Sequence, residues 1–247
     1  MNPYVTSPHP PTDKYPLGAQ WPGVCFCEDK CPNWVGALVE GTQDRQKEPP
    51  LLVFDYAVGG HTVAGLADQV QEGFMPDVSH KPKWAVWDEQ HSLFVFWVGI
   101  NDCAQTPKDD IPSVVTHLIK QARAVYESGA RNFLFIDLPP IDRSPAVLNW
   151  GPPSSNTHEI YITWNTSLAE QLEEFKAGFP LAKVFTFSSY DTFTRILDDP
   201  SVYGMEKEDV ATAGGGVWVD YLHPTSEVHV VLARELEAYL MAQPSSS

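Results

Sequence analysis

Positive charge is scarce in this chain. Its 247 residues carry 16 lysines and arginines against 32 aspartates and glutamates, a formal net charge of −16. A surface so acidic repels phosphate backbones and anionic lipid, which argues against nucleic acid and membrane surfaces as partners. Long apolar runs are missing too: nothing approaches the roughly 18 residues that a membrane span needs. The opening MNPYVTSPHPPTDKYP has no apolar core, so no signal peptide is expected in this chain. Neither G-x-G-x-x-G behind a first strand nor G-x-x-x-x-G-K-[ST] occurs, which argues against a nucleotide binder.

Cysteine is sparse as well, at Cys25, Cys27, Cys31 and Cys103. The first three have a metal-knuckle spacing, but no nearby histidine completes it and the fourth is remote, so no metal or other cofactor is expected. One or two disulfides, or buried free thiols, are the alternatives. A bridge from the 25–31 loop to Cys103 would tie that loop to the candidate site. Asn165-Thr166-Ser167 is a glycosylation sequon that matters only in a secreted protein.

What is present suits one large domain, since 43% hydrophobic residues can fill a substantial core. Residues 1–32 read as an irregular Pro- and Cys-rich loop, and 243–247 as a tail. Asn33 caps a short helix with Trp34, Val35, Leu38 and Val39 on one face. A polar linker over Gln43–Pro50 leads to LLVFDY (51–56), an apolar run of strand type, and then to a helical HTVAGLADQV. LFVFWV (93–98), NFLFIDL (132–138) and AKVFTF (182–187) are the remaining strands. A helix with Ile111, Val114, Val115, Leu118, Ile119, Ala122, Val125 and Tyr126 at i, i+3, i+4 spacing stops at Gly129. A second begins near Asn156, with Glu159 closing a capping box, and is expected to bury Ile160, Tyr161, Trp164, Leu168, Leu172 and Phe175. A short helix around Tyr190–Leu197 and a terminal one from about Thr225 to Met241 complete the pattern. Apolar strands alternating with amphipathic helices indicate an α/β/α sandwich about a parallel sheet, where ligands bind beyond the carboxyl ends of the strands.

Three polar clusters fall at such boundaries. Gly59-Gly60 comes after LLVFDYAV, where a glycine turn can aim a backbone N–H at a developing oxyanion. Gly99-Ile100-Asn101-Asp102 comes after LFVFWV, where the Asn101 amide can act as a second donor. Asp220-Tyr221-Leu222-His223-Pro224 precedes the last helix. There an aspartate three residues before a histidine can accept the Nδ1 hydrogen and leave Nε2 to act as general base. Each cluster alone has an ordinary structural reading: a turn, an Asx-turn and a helix-entry carboxylate.

In this order the clusters resemble the SGNH/GDSL hydrolases. YAVGGHT (56–62), FWVGINDC (96–103), PNWVGALVE (32–40) and VDYLHPT (219–225) are similar to the fungal acetylesterase-type carbohydrate esterases of family 16. The likeness runs from about residue 15 to the end. It implies a flavodoxin-like three-layer α/β/α sandwich, and a serine esterase that removes small acyl groups, acetyl above all, from carbohydrate without a cofactor. It makes His223 the base, Asp220 its orienting partner, and Gly60 and Asn101 the oxyanion donors. It further implies a monomer working outside the cell.

One departure stands out. The family's serine lies in a Gly-Asp-Ser that ends the first strand, and no Gly-Asp-Ser occurs here. Ser7 stands behind no apolar run and is no substitute. The Pro-rich 8–22 stretch resembles the segment that comes after the serine block in these esterases. The chain is therefore expected to start a few residues late, without the first strand and without a nucleophile. In the order 2-1-3-4-5 that strand is internal. Its loss would forfeit about 6–15 kcal/mol of burial, against a whole-domain stability of about 5–15 kcal/mol. The alternative is a pseudoenzyme that binds carbohydrate or an acyl ligand on the same fold.

Overall fold

The computed structural model describes residues 10–23, 25–43, 51–148 and 155–244. The chain divides into two compact units, one made of Met1–Asp55, Arg143–Pro152 and Asp191–Ser247, the other of Tyr56–Asp142 and Pro153–Tyr190.

The second unit holds the sheet. Strands β1 (Leu93–Phe96), β2 (Asn132–Ile136) and β3 (Lys183–Phe187) are all parallel, in the order β1-β2-β3. The central strand shows why its sequence is apolar throughout: Phe133, Leu134, Phe135 and Ile136 are all buried. A strand covered on both faces has no side free for polar residues. At about 1.5–3 kcal/mol for each large side chain, the four residues of this strand contribute about 6–12 kcal/mol of burial. The Ile111–Glu127 and Ser155–Gly178 helices pack on each other. Phe133 meets Phe175 edge-on at 5.6 Å and Tyr126 at 6.5 Å, so both helices and the sheet share one aromatic layer. The fold is α/β, as the alternation of strands and helices requires.

Strand β1 is the edge of this sheet. Leu93 and Val95 are 38% and 41% exposed, and among the described residues no ladder partner lies on its outer side. The expected strand over 51–56 does not form. A strand exists only as one member of a ladder. In place of a neighbouring strand, the Val53 N–H donates to the Pro16 carbonyl at 2.8 Å.

In the first unit the Trp34–Gln43 and Ser226–Met241 helices pack together. Asn33 Oδ1 accepts the Val35 and Gly36 N–H groups, so the expected cap forms. The core here is Val39, Phe193, Ile196, Val217, Trp218, Val228, Leu232 and Leu236. Residues 44–50, most of the expected polar linker, lie outside the described residues, as do the side chains of 155 and 156 at the expected capping box. Glu159 is in any case occupied elsewhere, by Lys108 Nζ at 2.5 Å.

Candidate active site

The Asp220–His223 pair sits on a tight backbone loop of the first unit. Val219 N–H donates to His223 O at 2.9 Å and Thr225 N–H to Val217 O at 3.0 Å, while Thr225 Oγ1 donates to Gly216 O at 2.8 Å. Buried Trp218 anchors the loop, with its Nε1 donating to Val210 O at 3.0 Å. Thr225 then caps the last helix, so the histidine is fixed three residues before a rigid element.

Within this loop Asp220 is used twice. Its Oδ1 accepts the backbone N–H of Leu222 at 2.7 Å and of His223 at 2.8 Å, which is an Asx-turn. Its Oδ2 lies 2.8 Å from His223 Nδ1. Partial burial pushes this carboxyl up, but the His223 and Leu222 N–H groups and the His223 ring outweigh it and hold it below the usual carboxylate range. The ordinary turn and the orienting carboxylate are thus the same residue. A charged carboxylate on Nδ1 keeps the hydrogen there and leaves Nε2 as the acceptor. Among the described residues His223 Nε2 makes no hydrogen bond, and the side chain is 35% exposed.

Two further neighbours of His223 lie in this unit. Phe26 stacks on its ring, with centroids 4.4 Å apart and planes 8° from parallel. His229, on the last helix, has a buried Nδ1 with no partner among the described residues, and burial together with repulsion from His223 pushes its imidazole down to about 4.

Gly60 and Asn101 belong to the second unit, where the structure brings their loops together. Asn101 Nδ2 donates to His61 O at 3.1 Å, which leaves its second amide hydrogen for another acceptor. Gly60 has φ +81°, a conformation that favours glycine, and a Cβ there would meet nothing within 4 Å. Beneath them the buried Asp102 carboxylate accepts Val63 N–H at 3.1 and 3.2 Å. Burial raises its proton affinity and the Val63 bond opposes the rise. His61 Nδ1 pairs with Gln69 Nε2 at 3.1 Å. Gly99, at φ +130°, lets the chain leave β1 under the Trp164 ring, which a Cβ would strike at 2.3 Å.

Other polar and aromatic side chains near the strand ends have structural roles. Asp137 closes the ends of β2 and β3 by accepting from Ser188 Oγ at 2.7 Å and Tyr190 N–H at 2.8 Å. Trp87 is buried, its Nε1 donating to Val78 O. Of the alternatives open for the cysteines, the structure has one disulfide, Cys25–Cys27, with Cys31 and buried Cys103 free, so Cys103 is not bridged to the 25–31 loop. Cys103 lies in the first turns of a helix behind β1, with its Sγ 4.0 Å from Ile160 O, and is held inside the second unit. The Phe26–His223 stack is not foreshadowed by any motif. Its one signal in the sequence is an aromatic residue bracketed by two cysteines.

Residues 30–236 match the family model described as GDSL-like Lipase/Acylhydrolase. An acetylesterase from Thermothelomyces thermophilus is 30% identical over 228 residues, covering 82% of this chain and 72% of that protein. The secreted effector protein SseJ of Salmonella typhimurium is 25% identical over 76% of this chain, which spans half of its length. Among solved structures, a Geobacillus acetyl-xylooligosaccharide esterase, Axe2, superposes with TM-score 0.58 at 14% identity, covering 87% of this chain and 84% of its own. Est24, a carbohydrate acetylesterase from Sinorhizobium meliloti, superposes with TM-score 0.54 at 15% identity, covering 96% and 94%.

Proposed function

The chain belongs to the GDSL-like lipase/acylhydrolase family of ester hydrolases, and we propose that it is the base-bearing body of a serine carbohydrate acetylesterase. The observation that carries this reading is the 2.8 Å contact of Asp220 Oδ2 with His223 Nδ1, which leaves Nε2 unengaged among the described residues. His223 takes the proton of a serine hydroxyl as the serine attacks an acetyl carbonyl. Likeness to the family, carried over by position, assigns the oxyanion donors to the Gly60 N–H and the Asn101 amide. His223 then gives the proton to the departing sugar oxygen, which leaves as a hydroxyl, and activates the water that releases acetate. The serine itself is supplied by a Gly-Asp-Ser strand, a motif this sequence does not contain. We place the work of the protein outside the cell, as a monomer, on acetylated carbohydrate.

The absence of that motif favours one other reading, a non-catalytic binder of carbohydrate or acyl ligand on the same fold. Two measurements separate them. 4-Nitrophenyl acetate is offered to the chain alone and to the chain with a Gly-Asp-Ser strand appended, and acetylated xylo-oligosaccharide is titrated into the chain alone by calorimetry. A burst of 4-nitrophenol only with the strand supports the esterase. Saturable binding with no burst in either form supports the binder.

A further inference from the structure

The geometry points to Phe26 as a positioning residue for His223, aimed by the Cys25–Cys27 disulfide that brackets it. The inference rests on the reading of His223 as the base.

A hydrogen bond from one ring nitrogen leaves an imidazole a soft freedom. Asp220 Oδ2 holds Nδ1 in the ring plane, but the ring can still rock about the Nδ1···Oδ2 line and carry Nε2 off target. A flat surface against the ring face removes that motion. Phe26 supplies one, 4.4 Å away and within 8° of parallel. The two contacts are complementary, one fixing the ring in its plane and the other fixing the plane itself. Phe26 is also 39% exposed, a large apolar side chain that burial alone does not account for.

What holds Phe26 there is local and covalent. It is the single residue between two bonded cysteines, so its backbone belongs to a small closed ring with few conformations. Both sulfurs lie within 3.4 Å of the Cys31 carbonyl oxygen, which seats that ring on the next turn of chain. That turn is fastened to the helix behind His223. Ser226 N–H donates to Glu28 Oε2 at 2.8 Å, and Ser226 Oγ to Pro32 O at 2.7 Å. The loop that carries Phe26 and the loop that carries His223 therefore share one anchor, three residues beyond the histidine. The Cys-x-Cys pair is explained as the device that presents the ring, a role separate from closing the core.

The test is NMR of the His223 ring in the chain as it stands, which needs no hydrolysis. The ring protons shift downfield and the 13Cε1–1H order parameter falls in Phe26→Ala, because the shielding ring and the restraint go together. Phe26→Tyr, which keeps the stack, restores both. Cys25→Ser combined with Cys27→Ser, or reduction of the wild-type bridge by a dithiol, gives the Phe26→Ala spectrum with Phe26 still present. Unchanged His223 shifts and order in Phe26→Ala overturn the positioning role. A Phe26→Ala effect with no effect of the double serine variant or of reduction overturns the role of the disulfide. If instead only the esterase reading is wrong, the ring signatures still respond while no form of the protein hydrolyses ester.

Discussion

Asp220 reaches His223 twice, through Oδ1 to its backbone N–H and through Oδ2 to its ring Nδ1, both at 2.8 Å. One carboxylate thus sets the loop and the tautomer together. Asp220→Asn separates the functions: its Oδ1 can still accept from the backbone, but its amide offers a donor to Nδ1. The expected outcome is a folded protein with His223 in the wrong tautomer, visible by 15N NMR. Where ester hydrolysis is measurable, it falls roughly 10⁴-fold, the size typical of replacing a triad carboxylate by its amide.

The glycines at 60 and 99 separate in the same way. Gly60→Ala meets no neighbour, so its cost is that of a left-handed backbone, about 1–2 kcal/mol. Gly99→Ala adds a collision of Cβ with the Trp164 ring at 2.3 Å. Denaturant unfolding should find Gly60→Ala folded and mildly weakened, and Gly99→Ala unfolded or far weaker.

Asn101→Ala removes the Nδ2 bond to His61 O, a loss of about 1 kcal/mol in stability. If Asn101 is also an oxyanion donor, hydrolysis falls by about 10²–10³-fold, with binding of the unreacted ester nearly unchanged. Equal losses in affinity and turnover would confine Asn101 to the loop.

His229 makes the first unit sensitive to acid. Its folded value of about 4 lies below the 6.5 of an unhindered histidine, so the folded state resists the proton that the unfolded state accepts. Its contribution is full above pH 6.5 and is lost as pH falls toward 4, amounting to about 3 kcal/mol at most. Asp220, held below its ordinary value, acts in the same direction at lower pH. Thermal melts from pH 7 to pH 4 should show the decline, and His229→Leu should flatten it.

The sequon at Asn165 is structurally occupied. Asn165 Oδ1 accepts Leu138 N–H at 2.8 Å and Nδ2 donates to Leu138 O at 2.9 Å, pinning the chain just beyond β2.

The central elements are legible in the sequence because their burial is written in period: the two-faced β2, the Ile111–Glu127 helix and the Asn33 cap come from spacing and local chemistry alone. So does the Asp220–His223 contact, since three residues of separation on a turn bring the groups together. LLVFDY reads as a strand and is none, because a strand needs a partner, and partnership is not a property of one segment. The cysteine pairing and the Phe26 stack are illegible for a related reason. Both depend on where a loop without periodicity is seated, here by Ser226 on Glu28 and Pro32.

Whether His223 is the base of an acetyl-ester hydrolase is decided by acetate release from acetylated xylo-oligosaccharide. The protein to use is the chain with a Gly-Asp-Ser strand appended, with His223 intact and as His223→Ala. A general base at this position predicts steady release that His223→Ala lowers by at least about 10³-fold with the protein still folded. Release that persists undiminished in His223→Ala would remove His223 from the chemistry.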